Sequence, residues 1–205
     1  MHNEILNREQ TGLLPVMKLF RKEFYLVGGT AIALHLGHRQ SVDFDMFTPK
    51  PFGSKRILNA LEKAGKIPIV TRRVSEQLNL VVDNVKMTFF EYPYPIAANA
   101  GDANFRMPDL LSLAAMKAFA LGRRSKWKNY TDLYFLLRDH FKLSEIIGKA
   151  ELIFRDEFSA KLFRSQLSYH ADIDYSEKVD YMPGYEIPDG EVRAFLTDKA
   201  LENVL

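Results

Sequence analysis

Cysteine is absent from the 205 residues. That excludes a disulfide framework and any zinc site built on thiolates. No apolar run approaches the roughly eighteen residues of a membrane span, so no membrane association is expected. The opening MHNEILNREQTG has no basic region followed by an apolar stretch, so no secretory signal is expected. Charge of one sign is scarce too: 28 Lys and Arg against 26 Asp and Glu leave +2, too little to argue for nucleic-acid binding alone. Internal repeats and low-complexity tracts are missing. So are G-x4-G-K-[ST] and G-x-G-x-x-G, which removes P-loop and Rossmann dinucleotide chemistry. What remains is an ordinary globular composition, 47% hydrophobic and 26% charged. The expected location is the cytoplasm.

Periodicity divides the chain near residues 96–106. In the first half, helices are predicted at 8–22, 30–36 and 54–64, with a kink near Pro15. Strands are predicted at 24–27, 41–47, 67–74, 77–82 and 85–92. Asp83-Asn84 reads as a two-residue hairpin, and the YPYP segment ends the sheet. Beyond Pro108 the pattern is helical, at 108–122, 129–141, 143–154, 157–170 and 190–203. The expectation is an α/β domain over 1–100 and a helical domain over 101–205: a mixed sheet with flanking helices followed by a helical C-terminal domain, an α+β chain.

Two motifs lie close together in LVGGTAIALHLGHRQSVDFDMF, residues 26–47. Gly28–Gly29 between a strand and a helix presents backbone N–H groups and a helix N-terminus to one point, a ready anion site to which Thr30 adds a hydroxyl. A sharp turn needing positive φ explains the same glycines. Asp43 and Asp45, two apart on a strand, share one face, while Val42, Phe44 and Met46 face the core. Like charges side by side call for a cation, and hard oxygen ligands suit Mg²⁺ or Mn²⁺. The polar side of a half-buried strand is the simpler account. His35 and His38 near these aspartates raise a metal hydrolase, which the lack of H-E-x-x-H or comparable spacing disfavours.

The second half carries a basic run, Lys117, Arg123, Arg124, Lys126 and Lys128, with no acid among them, while the stretch from Asp172 to Glu202 is mostly acidic. The run either attracts phosphates or is a solvated helix end. Lys117, the only charge in LSLAAMKAFAL, either snorkels from an apolar face or binds a phosphate. Lys128 and Asp132 stand four apart, the spacing of a surface ion pair. Trp127 and Tyr130 either stack a base or pack.

A glycine turn, a short helix and a DxD strand together resemble a nucleotidyltransferase of the polymerase-β type. In that resemblance Gly28 and Gly29 hold the triphosphate of a nucleoside triphosphate. Asp43 and Asp45 bind the metal ions, and Arg39 and Ser41 match a basic residue and a Ser/Thr before them. MPDLLSLAAMKAFALGRRSKWKNYTDLYFLL, residues 107–137, resembles the helical block of the AbiEii-type nucleotidyltransferases, toxins of type IV toxin–antitoxin and phage-defence systems. The likeness runs from about Phe24 to Leu137. It implies catalytic roles for Asp43, Asp45, Lys117 and Asp132, nucleotide binding by Lys128, and a helical domain that completes the cleft. It also implies transfer to an RNA or tRNA 3′ end or a protein hydroxyl, and a cognate antitoxin protein. Two positions depart from the pattern. A third carboxylate is expected on the strand 85–92, where Thr88 stands and Glu91 points to the other face; Asn129 follows Lys128 where an acid is usual. A chain that keeps the fold but only binds nucleotide, RNA or protein is the alternative.

Overall fold

Asn7 starts the first long helix. Its side chain accepts from the Gln10 amide at 2.8 Å, and Gln10 Oε1 accepts from the Asn7 amide at 3.2 Å, a reciprocal capping box. The computed structural model describes residues 1–121, 123 and 125–202. Arg124 of the basic run, and the predicted helix ends at Gly122 and Asn203, lie outside them. Contacts divide the chain into two units, Met1–Asp109 and Leu110–Leu205.

In the first unit α1 (Arg8–Phe20) contains Pro15 and turns Leu13, Val16, Met17 and Phe20 inward. β1 (Tyr25–Val27) is wholly buried and runs straight into α2 (Gly28–Leu36). β2 (Phe44–Thr48) and α3 (Ser54–Lys63) follow, then β3 (Ile69–Arg73), β4 (Gln77–Val82) and β5 (Val85–Glu91). The Lys66 amide reaches back to the Leu61 carbonyl at 3.0 Å and closes α3. Asp83 and Asn84 take φ of 49° and 65°, the predicted hairpin turn.

The strands order as β1-β2-β5-β4-β3. Within this sheet only β2 and β5 run parallel, and the α3 excursion with the β3–β4 turn supplies the crossover that parallel pairing requires. Burial alternates along β2, β4 and β5. One sheet face sends Phe44, Met46, Leu78, Leu80, Met87 and Phe89 into the core. There the Phe20, Phe24 and Phe89 rings meet edge to face at 5.0–6.5 Å. The other face carries Asp45, Phe47, Thr88, Phe90, Gln77 and Asn79, none of them fully buried.

Three features differ from the sequence-based expectation. β3 is shorter than the strand predicted at 67–74 and is an exposed edge with a bulge between Val70 and Arg72. The segment near residue 100, expected to be a loop, holds a two-stranded ladder, β6 (Ala100–Gly101) and β7 (Arg106–Met107); strands of two residues have no period to detect. Val42, expected in the core, is 44% exposed, because β2 starts only at Phe44.

The second unit comprises α4 (Leu110–Leu121), α5 (Trp127–Asp139), α6 (Leu143–Phe154), α7 (Ala160–Ser168) and α8 (Asp189–Leu201). Residues Ser112 to Phe119 of α4 are all buried. Phe119 stacks on Phe154 of α6 at 3.9 Å, and Tyr134 of α5 meets Phe195 of α8 edge-on at 4.9 Å. The helix predicted at 157–170 starts later, because Ser159 accepts from the Leu162 amide at 3.2 Å and caps α7 there. Trp127 and Tyr130 are buried at 4% and 0% exposure, so both pack rather than offer a face to a base.

Candidate active site

Val27 pairs with Asp45 across the β1–β2 ladder, and the residue after Val27 is Gly28. The carboxylate therefore arrives beside the glycine turn. Gly28 has φ 71°, and a Cβ built there would lie 2.4 Å from Asp45 Oδ2. Both the backbone conformation and the close approach require glycine. Gly29 is confined from another side: its Cβ would meet Arg39 Nη2 at 2.5 Å and Ser41 Oγ at 3.1 Å. No side chain caps α2 at Val27. The first-turn amides lack an intrahelical acceptor, and they form the positive end of the helix dipole.

The segment before β2 is tied down from two helices. Thr30 is 2% exposed; its hydroxyl donates to the Asp43 carbonyl and lies 2.9 Å from Ser41 Oγ. Gln10 Nε2 donates to the Ser41 carbonyl at 2.8 Å. Thr30 is thus a positioning residue, its hydroxyl engaged within the chain. Gln10 is not among the expected site residues. Its capping box is readable, but its second partner lies 31 positions away. Arg39 is also buried, at 2% exposure, with Nη1 donating to the Gln40 carbonyl at 2.9 Å. It supports the turn from beneath Gly29.

Asp43 and Asp45 are both half-buried and flank the fully buried Phe44. Across the sheet Asp45 pairs with Thr88, and Thr88 with Asn79. Paired residues share a face, so beside Asp45 stand a hydroxyl and then an amide. Glu91 pairs with Thr48 and belongs to the other face, as its spacing predicts. Among the described residues no three or more His, Cys, Asp and Glu side chains form a group able to hold a metal ion. His35 and His38 accordingly build no such group with the aspartates; His38 is fully buried, and His35 Nε2 lies 3.3 Å from the Pro108 carbonyl. Two carboxylates do fit Mg²⁺, which takes one or two from the protein and completes its shell with water and phosphate oxygens.

The helical candidates have partners of their own within the second unit. Lys117, 8% exposed, places Nζ 2.9 Å from Asp132 Oδ2 and donates to Asn129 Oδ1 at 3.0 Å; Asp132 is fully buried. Lys117 does not snorkel to solvent. Asp132 pairs with this lysine of α4 and not with Lys128 in its own helix. Lys128 lies 3.3 Å from Glu177, whose other oxygen pairs with Lys126. These two lysines, Lys126 first, hold the Glu177 carboxyl below the usual carboxylate range. The basic run is therefore partly neutralised by the acidic segment that follows it. Arg123 lies over the Phe119 ring at 3.8 Å.

Gly28, Gly29, Thr30, Arg39, Ser41, Asp43 and Asp45 thus form one continuous set of contacts, and Lys117, Asn129 and Asp132 another. A relative from Aquifex aeolicus (strain VF5), described as an uncharacterized protein, is 33% identical over 187 residues, covering 88% of this chain and 87% of its own. Among solved structures, JHP933 from Helicobacter pylori matches with a TM-score of 0.57 at 16% identity, covering 97% of this chain and 90% of that one. MenT4, the nucleotidyltransferase toxin Rv2826c from Mycobacterium tuberculosis H37Rv, matches with a TM-score of 0.62 at 12% identity, covering 94% and 82%. At these identities the likeness fixes the fold, which is that of the nucleotidyltransferases. The family profile "Nucleotidyl transferase AbiEii toxin, Type IV TA system" matches residues 16–201, and with nearly the whole chain covered, the protein belongs to the AbiEii family of nucleotidyltransferase toxins.

Proposed function

We propose that this chain transfers a nucleoside monophosphate from a nucleoside triphosphate to an acceptor hydroxyl, in a reaction that depends on a divalent cation. One observation carries the reading: the Asp45 carboxylate lies against Gly28, at the uncapped start of α2. Helix amides attract a polyphosphate, and a carboxylate beside them repels it. A divalent cation between the two reconciles them, and Asp43 and Asp45 would hold it. When bound, Mg²⁺ neutralises charge developing on the transferred phosphoryl group. The Gly28–Gly29 amides orient the triphosphate. The acceptor hydroxyl releases its proton to water as its oxygen forms a bond to the α-phosphorus, the bond from that phosphorus to the β-bridging oxygen breaks, and pyrophosphate leaves.

The same reading keeps the catalytic roles that the family implies for Lys117 and Asp132 and the nucleotide contact for Lys128. An RNA 3′ end is the proposed acceptor and a cognate antitoxin the proposed partner, both following from family membership. The test is transfer from α-labelled nucleoside triphosphates to total RNA and to protein. Wild-type protein labels one of these pools, and Asp43→Asn labels neither while melting within a few degrees of wild type. Full labelling by Asp43→Asn would refute the role.

Thr88 opposite Asp45 favours a second reading. With a hydroxyl where a third carboxylate is expected, the fold would bind nucleotide without transferring it. Stabilisation by a nucleoside triphosphate with no label transferred to any acceptor would establish that alternative.

A further inference from the structure

A cavity of about 480 Å³ opens at the end of the β1–β2 ladder away from Gly28 and Asp45. It is lined by four cations, Lys22, Lys50, Arg56 and Arg106, and a single carboxylate, Glu23. Glu23 is bound by both Nη atoms of Arg56. The Arg106 guanidinium is fixed by donating to the Arg21 carbonyl at 2.9 Å and the Lys22 carbonyl at 3.3 Å. Among the described residues no carboxylate pairs with Lys22 or Lys50. Gly53 opens α3 into the same cavity with no capping side chain, and a Cβ on it would meet nothing within 4 Å. A concave site with this excess of positive charge, a fixed guanidinium and unpaired ammonium groups suits a phosphate, and its volume suits a nucleotide-sized ligand.

We propose that this cavity is a second anion site, separate from the Gly28–Asp45 turn, and that it takes a backbone phosphate of the RNA acceptor. Thr48, at its wall, stands three residues beyond Asp45 on β2, roughly 10 Å at strand rise, and the odd spacing puts it on the opposite face of the sheet. An RNA strand with its 3′ end at the aspartates reaches the cavity only by passing the end of β2, so the phosphate it supplies lies upstream of the terminal nucleotide. The acceptor role rests on the transfer reading above; anion binding by the cavity does not.

The test is fluorescence anisotropy of a 5′-labelled oligoribonucleotide on the full chain across a salt series, with AMP and polyglutamate as competitors. Lys22→Ala/Lys50→Ala weakens RNA binding about tenfold and lowers the salt slope by about 0.7 for each phosphate no longer neutralised. Glu23→Gln, which removes the only carboxylate among the described residues lining the cavity, tightens binding, a gain that misfolding cannot mimic. Loss of AMP competition in the double variant with RNA affinity unchanged assigns the site to free nucleotide and overturns the acceptor role. Unchanged affinity for both, or polyglutamate competing ahead of AMP in a Lys22- and Lys50-dependent way, overturns the phosphate site. Dependence of RNA binding on Lys22 and Lys50 in a protein that transfers no nucleotide leaves the anion site standing and removes only the transfer reading.

Discussion

The two units place their carboxylates differently. In the second, Asp132 is fully buried and compensated by Lys117 at 2.9 Å, with Asn129 completing the lysine's bonds. In the first, Asp43 and Asp45 are half-buried, and Asp45 faces a glycine whose missing side chain leaves room for it. A compensated pair such as Lys117–Asp132 is costly to break because one charge is left stranded. A half-exposed carboxylate near helix amides is inexpensive to neutralise, and its value lies in what it can bind. Removing charge should therefore cost stability in the second unit, beside the chemistry proposed for Asp132, and chemistry without much stability in the first.

The largest expected effect is on activity: Asp45→Asn lowers nucleotide transfer by orders of magnitude while the thermal melt barely moves, measured with α-labelled substrates and calorimetry on the same samples. Next comes Asp132→Ala, which costs about 3–5 kcal/mol of stability by leaving Lys117 buried and unpaired. A urea melt reads this directly, and a change under about 1 kcal/mol would break the comparison. Gly28→Ala stands third. Its φ of 71° and the 2.4 Å approach to Asp45 Oδ2 strain any side chain, at about 1–3 kcal/mol, and the forced shift of Asp45 lowers transfer as well.

The smallest effect concerns pH. Lys126 and Lys128 hold the Glu177 carboxyl below its ordinary value. A depressed carboxylate stabilises the fold above the unfolded value, about 4.3, and that contribution is lost as the pH falls through the lower folded value. Wild type should lose melting temperature slightly faster than Glu177→Gln below about pH 4.3. The difference stays small because the pair is exposed to solvent.

Local rules made part of this legible in the sequence. The Asp83-Asn84 hairpin, the inward Phe44 and Met46, and the opposed faces of Thr88 and Glu91 all follow from turn chemistry and a period of two. The nearness of the glycine turn to the aspartates follows from a short helix between two strands. Partners distant in sequence were not legible. Asp132 offers Lys128 four residues away as its evident partner, and the fold pairs it with Lys117 of the neighbouring helix. Arg39 is legible only as a basic residue before the aspartates, and its burial under Gly29 has no local signal. The basic run and the acidic stretch are each visible, yet the Lys126–Glu177–Lys128 cluster that joins them spans about fifty residues. No periodic pattern encodes such a pairing.

The central claim is that the Gly28–Gly29 amides and the Asp43/Asp45 carboxylates serve one nucleotide. Calorimetric titration of a non-hydrolysable nucleoside triphosphate with and without Mg²⁺, on wild type and Asp45→Asn, tests it most directly. The account predicts that Mg²⁺ strengthens binding to wild type and that Asp45→Asn abolishes this Mg²⁺ dependence. Equal affinity and equal Mg²⁺ dependence in the two proteins would contradict it.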